Sequence, residues 1–211
     1  MKVKKFAYDK NEGWSIDLPN EQDSSKTLLL VFGASLYFEN REPLVELNKR
    51  FPESKIIGCS TAGEIFDSSI NDEGLSGAVV KFEKTEIKTA FAPVSQANES
   101  FSAGMKIAKM LNEPSLSGIL VLSDGLNVNG SELVRGINSI VSDKVKVTGG
   151  LAGDGSNFQK TWVLKDGLPE SNFVSAVGFY GNNVQIGHGS RGGWDIFGPE
   201  RKITKSIGNQ L

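Results

Sequence analysis

Apolar and polar positions divide the chain into short blocks, and the blocks predict alternating strands and helices. Residues 1–26 are polar and weakly patterned; Trp14, Ile16 and Leu18 alternate with polar neighbours like a short edge strand, and Asn20–Lys26 reads as a linker. The first fully apolar run, Thr27–Phe32, has the length of a buried strand. A helix is predicted over 40–50, with Leu44, Val45 and Leu47 on one face and Pro52 stopping it. Lys55–Ile57 is a short strand that runs into Gly58–Glu64. Gly77–Phe82 and Glu86–Ala92 are predicted to form a hairpin around Lys84-Thr85. Phe101, Met105, Ala108 and Leu111 place a helix over 98–112.

The same order then restarts. Gly118–Leu122 reads as a buried strand, and a helix follows over 131–141, with Ser131 supplying N-cap chemistry after the Asn129-Gly130 break. A strand at Val145–Thr148 enters the glycine-rich stretch Gly149–Gly155. Thr161–Leu164, Phe173–Tyr180 and Val184–Gly187 read as further strands, with turns at Asp166-Gly167 and Gly181–Asn183. A shift of 90 residues lays Leu28–Phe66 on Gly118–Ser156 without a gap. Leu30/Leu120, Val31/Val121, Ala62/Ala152 and Gly63/Gly153 then coincide, and Glu64 falls on Asp154. Shared α/β grammar is the other explanation of so modest a match. A duplicated β-α-β-β unit, with halves at 27–92 and 118–187, predicts an α/β fold: a mixed β-sheet sandwich with flanking helices. It also brings the two glycine-rich turns to related positions.

Composition narrows the classes of function. The 211 residues are 38% hydrophobic and 23% charged, as expected of a globular protein with its own core. A net charge of −2 leaves no electrostatic footprint for nucleic acid, and Lys2, Lys4 and Lys5 read as a solvated, frayed end. The longest apolar run, Leu28–Phe32, is far short of the ~20 residues a membrane span needs, and the first residues contain no apolar leader segment. The expectation is a cytoplasmic protein without membrane or nucleic-acid partners. One cysteine, Cys59, excludes an intrachain disulfide and a cysteine-based zinc site, and His188 is the sole imidazole.

Three stretches taken together resemble the N-terminal FIST domain: Gly58-Cys59-Ser60-Thr61-Ala62-Gly63-Glu64-Ile65, Gly149-Gly150-Leu151-Ala152-Gly153-Asp154, and Gly193-Trp194 through Gly198 with Ile203–Ser206. The resemblance makes 27–211 a sensory domain and 1–26 an N-terminal extension. It implies a sensory input module of intracellular signal transduction proteins, largely bacterial, that work with histidine-kinase, chemoreceptor or cyclic-dinucleotide output domains. It also implies a small ligand, an amino acid being the favoured class, while some members are haem proteins that sense nitric oxide. A C-terminal FIST domain normally follows in the family. The sequence here stops at Leu211, so that domain is expected as a partner.

The candidate ligand-binding residues follow from both lines. Gly58, Gly63, Gly150 and Gly153 suit turns that offer backbone N–H groups to an anion, and Ser60 and Thr61 add hydroxyls. The same glycines equally serve tight sheet packing. Glu64 and Asp154 are carboxylates that can bind an ammonium group or cap a turn. Cys59 is either a ligand-site thiol or a small buried residue. Arg191 and Trp194 would wall an aromatic or acidic ligand. His188 lies between glycines that admit a planar group, which makes it the candidate axial ligand for haem iron. Gly187–Gly192 also matches G-x-G-x-x-G, but Gly193, Gly198 and Pro199 argue for a loop where a dinucleotide site needs a helix. Asp124, Gly125 and Asn127 sit at the carboxyl end of a strand, where open α/β sheets place ligands. An enzyme using Cys59 or Ser60 would need His188 as its base, so catalysis is not expected. A protein-interaction module is the remaining alternative.

Overall fold

The computed structural model describes residues 1–189, 192 and 198–205. The chain begins with β1 (Lys2–Asp9) and β2 (Gly13–Trp14), followed by β3 (Thr27–Gly33), α1 (Glu42–Arg50) and β4 (Lys55–Ser60). A small hairpin of β5 (Glu64–Phe66) and β6 (Ser69–Asn71) precedes β7 (Leu75–Lys81), β8 (Glu86–Pro93) and α2 (Ser100–Leu111). The second half runs through β9 (Leu116–Ser123), α3 (Gly130–Asn138), β10 (Lys146–Leu151), β11 (Val163–Lys165), β12 (Leu168–Glu170) and β13 (Phe173–Tyr180).

Two mixed sheets stack face to face. One has the strand order β12-β11-β4-β3-β7-β1-β2 and the other β10-β9-β13-β8. Alternate side chains of each central strand enter different layers, which explains why the runs are apolar throughout. Leu29 and Val31 face α1 with Leu44 and Leu47, whereas Leu28, Ile57 and Cys59 pack between the sheets against Val177 and Phe179. Ile119 and Val121 face α2 and α3 through Ile107, Leu111 and Ile137. The result is the expected sandwich with flanking helices, in four layers: α1, sheet, sheet, and the α2–α3 pair.

Both sheets contain the same four-strand pattern. β3 and β4 are parallel, as are β9 and β10; β7 runs antiparallel to β3 as β13 does to β9, and β1 antiparallel to β7 as β8 to β13. The register corrects the ungapped alignment. Leu28 stands opposite Lys55 and Gly118 opposite Lys146, so the strand after the helix is offset by one further residue. Gly58 therefore matches Gly149. A Cβ on Gly58 would lie 1.8 Å from the Val31 carbonyl oxygen, and one on Gly149 would lie 1.7 Å from that of Val121. Both copies need glycine because a neighbouring backbone occupies the side-chain position. Glu64 and Asp154 are not equivalent; Asp154 falls on Gly63.

Several local expectations change. The basic start is a strand: Lys2–Tyr8 pair with β7 along their whole length, so the segment read as an extension is built into the first sheet. Its apolar residues, Val3, Phe6, Ala7 and Tyr8, fall on both faces, which erased the period of two. Of the predicted Trp14–Leu18 strand only Trp14 joins the ladder, together with the preceding Gly13. β7 and β8 do not form a hairpin. β7 pairs with β1 and β3, β8 pairs with β13, and buried Phe82 and Ile87 carry the chain from one sheet to the other. Val184–Gly187 is not a strand, and α3 is capped by Asn129, whose side chain accepts from the Glu132 amide, rather than by Ser131. Among the described residues no helix is long and apolar enough to cross a membrane.

Candidate functional site

The carboxyl ends of β3 and β4 meet the glycine-rich turn that follows β10. Ser60 is the joint. Its carbonyl accepts from the Gly153 amide at 2.8 Å, its amide donates to the Trp162 carbonyl at 2.9 Å, and its Oγ accepts from the Trp162 amide at 3.1 Å. Ser60 is fully buried, so its hydroxyl holds backbone together rather than facing a ligand. The contact between turns is close: a Cβ on Gly153 would lie 3.2 Å from the Ala62 nitrogen. Trp162, fully buried, supports this junction and donates from Nε1 to the Ala34 carbonyl at 3.2 Å.

The cavity between these turns measures about 480 Å³, within the ~300–1,000 Å³ of small-molecule sites. Its walls are Ser35, Thr61, Ala62, Asp72 and Glu73 on one side and Asp154–Asn157 on the other. Asp154 is buried and accepts from the amides of Gln159 and Lys160 at 2.9 and 2.8 Å and from Asn157 Nδ2 at 3.4 Å. Burial works to raise its pKa, but hydrogen bonds led by the Lys160 and Gln159 amides outweigh it and hold the carboxyl below its usual range. Asp154 therefore shapes the turn from inside. The amides of Ala62, Gly155 and Ser156 donate to no acceptor among the described residues. Glu73 is paired with Lys10, whereas Asp72 and Asp154 have no ion pair among the described residues; Asp154 is engaged by amides, which leaves Asp72 as the wall carboxylate open to a cation.

Thr61 connects this cavity to a second one. Its Oγ1 donates to Glu64 Oε1 at 2.7 Å, while Glu64 Oε2 is buried without a hydrogen-bond partner among the described residues. Only 3% of Glu64 is exposed, and burial pushes its carboxyl above the usual range, against the opposing effects of the Thr61 hydroxyl and the Gly74 amide. Glu64 lines a cavity of about 560 Å³ beside Tyr8, Trp14 and Phe66.

The other sequence candidates separate. Gly58 and Cys59 lie inside β4; Cys59 packs between the sheets, and burial pushes its thiol up to about 12. Gly63 is in the left-handed region, φ 152°, beside Asp72. Gly150 is on the edge strand β10, away from the turn junction, in a small cavity of about 270 Å³ with His188, Thr148 and Leu151. His188 is exposed, and its Nδ1 lies 2.8 Å from Thr148 Oγ1. The cavity beside it is formed by described residues of β9, α3 and β10 together with His188. Among the described residues no three His, Cys, Asp or Glu side chains come together to hold a metal ion. Arg191 and Trp194 lie outside the described residues. Asp124 is buried and satisfied by the Leu126 and Asn127 amides and the Thr161 hydroxyl, so it braces its turn.

Ser35, Asp72, Tyr8 and Trp14 escaped the sequence reading. Ser35 and Asp72 carry no motif, and only the chain path brings them to the turns. Trp14 carried a weak signal through its alternation with Ile16 and Leu18. A family model described as the FIST N domain matches residues 27–211. No curated protein matches the chain.

Proposed function

The chain belongs to the FIST N domain family, a family of signal-transduction sensory domains, and from that premise we propose that it binds a free amino acid between its two glycine-rich turns. The observation that carries the reading is the cavity of about 480 Å³, which offers complementary partners for both ends of such a ligand. The free amides of Ala62, Gly155 and Ser156 suit a carboxylate, as successive backbone N–H groups in turns do elsewhere. Asp72 suits an ammonium group. The two turns come from the two halves of the fold, so a ligand held by both ties the halves together. The module acts without catalysis: Cys59 is buried with a raised pKa, Ser60 is fully buried, and His188 is bonded to Thr148. A C-terminal FIST domain and an output protein such as a histidine kinase, chemoreceptor or cyclic-dinucleotide enzyme would read the bound state.

The test is a thermal-shift and calorimetric panel of amino acids, each beside its des-amino and amide analogues. A ligand at one hundred times Kd stabilises the folded state by about 2.7 kcal/mol. At about 2–4 °C per kcal/mol for a chain of this size, the midpoint should rise by about 5–10 °C. Asp72→Asn should weaken binding about tenfold or more, and the analogues should fail. A panel in which no amino acid moves the midpoint, or in which Asp72→Asn binds as tightly as the native chain, refutes the reading.

A further inference from the structure

The cavity of about 560 Å³ beside β1, β2 and the β5–β6 hairpin is separate from the turn cavity, and its chemistry differs. Asp9, Glu12 and Glu64 line it, and among the described residues neither lysine nor arginine does. The nearby cations are engaged outside it, Lys10 with Glu73 and Lys5 with Asp67. Asp9 already accepts from the Asn11 and Glu12 amides and from Asn71 Nδ2. Glu64 is different. The residue is 3% exposed, Oε1 is bonded to Thr61, and among the described residues Oε2 has no hydrogen-bond partner of good geometry, though the Gly74 amide also acts on the carboxyl. A buried carboxylate oxygen left unpaired is costly, and folds retain such groups where something else satisfies them.

The walls indicate what that is. Tyr8 and Trp14 pack with ring centroids 4.9 Å apart and planes inclined at 57°. Trp14 Nε1 is held by Glu46 Oε2 at 2.9 Å, which fixes the indole. Aromatic faces beside a buried carboxylate attract an organic cation through the ring quadrupole and the charge together. The free Glu64 oxygen accepts one N–H, and Ser76 Oγ, which donates to the Ile65 carbonyl, keeps lone pairs for another. A primary ammonium supplies three donors, which a quaternary one lacks. We infer that this cavity is a second binding site, which takes the ammonium group of a small primary amine on Glu64, with its hydrocarbon part against Tyr8 and Trp14. The site goes beyond the amino-acid reading and does not depend on it.

Phenethylamine is the probe, and 2-phenylethanol is its uncharged counterpart. Calorimetry and the Trp14 indole N–H resonance follow binding to the full chain. Phenethylamine should bind saturably and shift that resonance, and 2-phenylethanol should bind at least tenfold more weakly. Glu64→Gln preserves side-chain volume and should also lower phenethylamine affinity at least tenfold, about 1.4 kcal/mol. Trp14→Leu should weaken the probe and its counterpart alike; circular dichroism establishes that each variant is folded. The inference is overturned if phenethylamine does not saturate, if the alcohol binds equally well, or if folded Glu64→Gln binds it undiminished. Phenethylamine has no carboxylate, so a failed amino-acid panel leaves this result unaffected, and the reverse also holds.

Discussion

Adjacent glycines in β10 should respond in opposite ways to the same methyl group. Alanine at Gly149 would place Cβ 1.7 Å from the Val121 oxygen and 2.7 Å from its carbonyl carbon. A carbon–oxygen contact needs about 3.3 Å, so the strands would have to separate by roughly 1.5 Å where a ladder normally holds them about 4.8 Å apart. β10 is an edge strand and can yield outward, which limits the loss to about 2–3 kcal/mol. Gly150→Ala meets no atom within 4 Å, and by restricting the unfolded chain it should be neutral or stabilise by up to about 1 kcal/mol. Gly58→Ala repeats the Gly149 clash, with Cβ 1.8 Å from the Val31 oxygen, but β4 is enclosed between β3 and β11 and has nowhere to move. It should cost more than Gly149→Ala, about 3 kcal/mol or above. Urea titrations followed by circular dichroism read these as shifts of midpoint at constant slope. Equal midpoints for Gly149→Ala and Gly150→Ala, or a milder effect at Gly58 than at Gly149, would refute the steric account and with it the matching of the two glycines.

Three further outcomes are expected. Because burial raises the Glu64 pKa, its contribution to stability is fully present below the unfolded-state pKa and is lost as pH rises through the folded one. Glu64→Gln should therefore be more stable than the native chain at neutral pH, by about 1–3 kcal/mol, with the gap closing in acid; a pH-independent difference in urea midpoint would contradict this. Asp154 has the opposite sign: its pKa is lowered, so its stability is present above the unfolded-state value of about 3.9 and is lost as pH falls through the folded one. Asp154→Asn should cost about 1–3 kcal/mol at neutral pH and progressively less in acid, and a cost that grows on acidification would exclude the proposed hydrogen-bonding role. With its thiol pushed up to about 12, Cys59 should resist iodoacetamide in the native protein and react once urea unfolds it. Native modification at the unfolded rate, measured by mass spectrometry, would mean that the sandwich opens at β4.

The candidate site was legible only in part. Gly58–Glu64 and Gly149–Asp154 stood out because glycine clusters after apolar runs mark strand ends, and the structure does bring those two turns together at Ser60 and Gly153. Which residues of the turns face a cavity was not legible. Cys59 and Ser60 point into packed layers, while Thr61 and Glu64, a few positions on, line open space. Side-chain direction depends on where the strand stops and the turn begins, and a motif does not carry that boundary.

The amino-acid sequence by itself determined the alternation of strands and helices and the layered α/β class. These depend on local periodicity and on apolar runs too long to be covered from one side. Pairing was decided in three dimensions. β1 belongs to the first sheet because β7 presents a free edge to it, and β7 and β8 part company because Phe82 and Ile87 are buried between the sheets. Tertiary structure likewise set the one-residue slip that pairs Gly58 with Gly149, since register follows from which backbone approaches which. It also left Glu64 buried, with an oxygen unpaired among the described residues, beside Tyr8 and Trp14, which are distant in sequence and share a cavity with it only because their strands lie in one sheet with the hairpin against it.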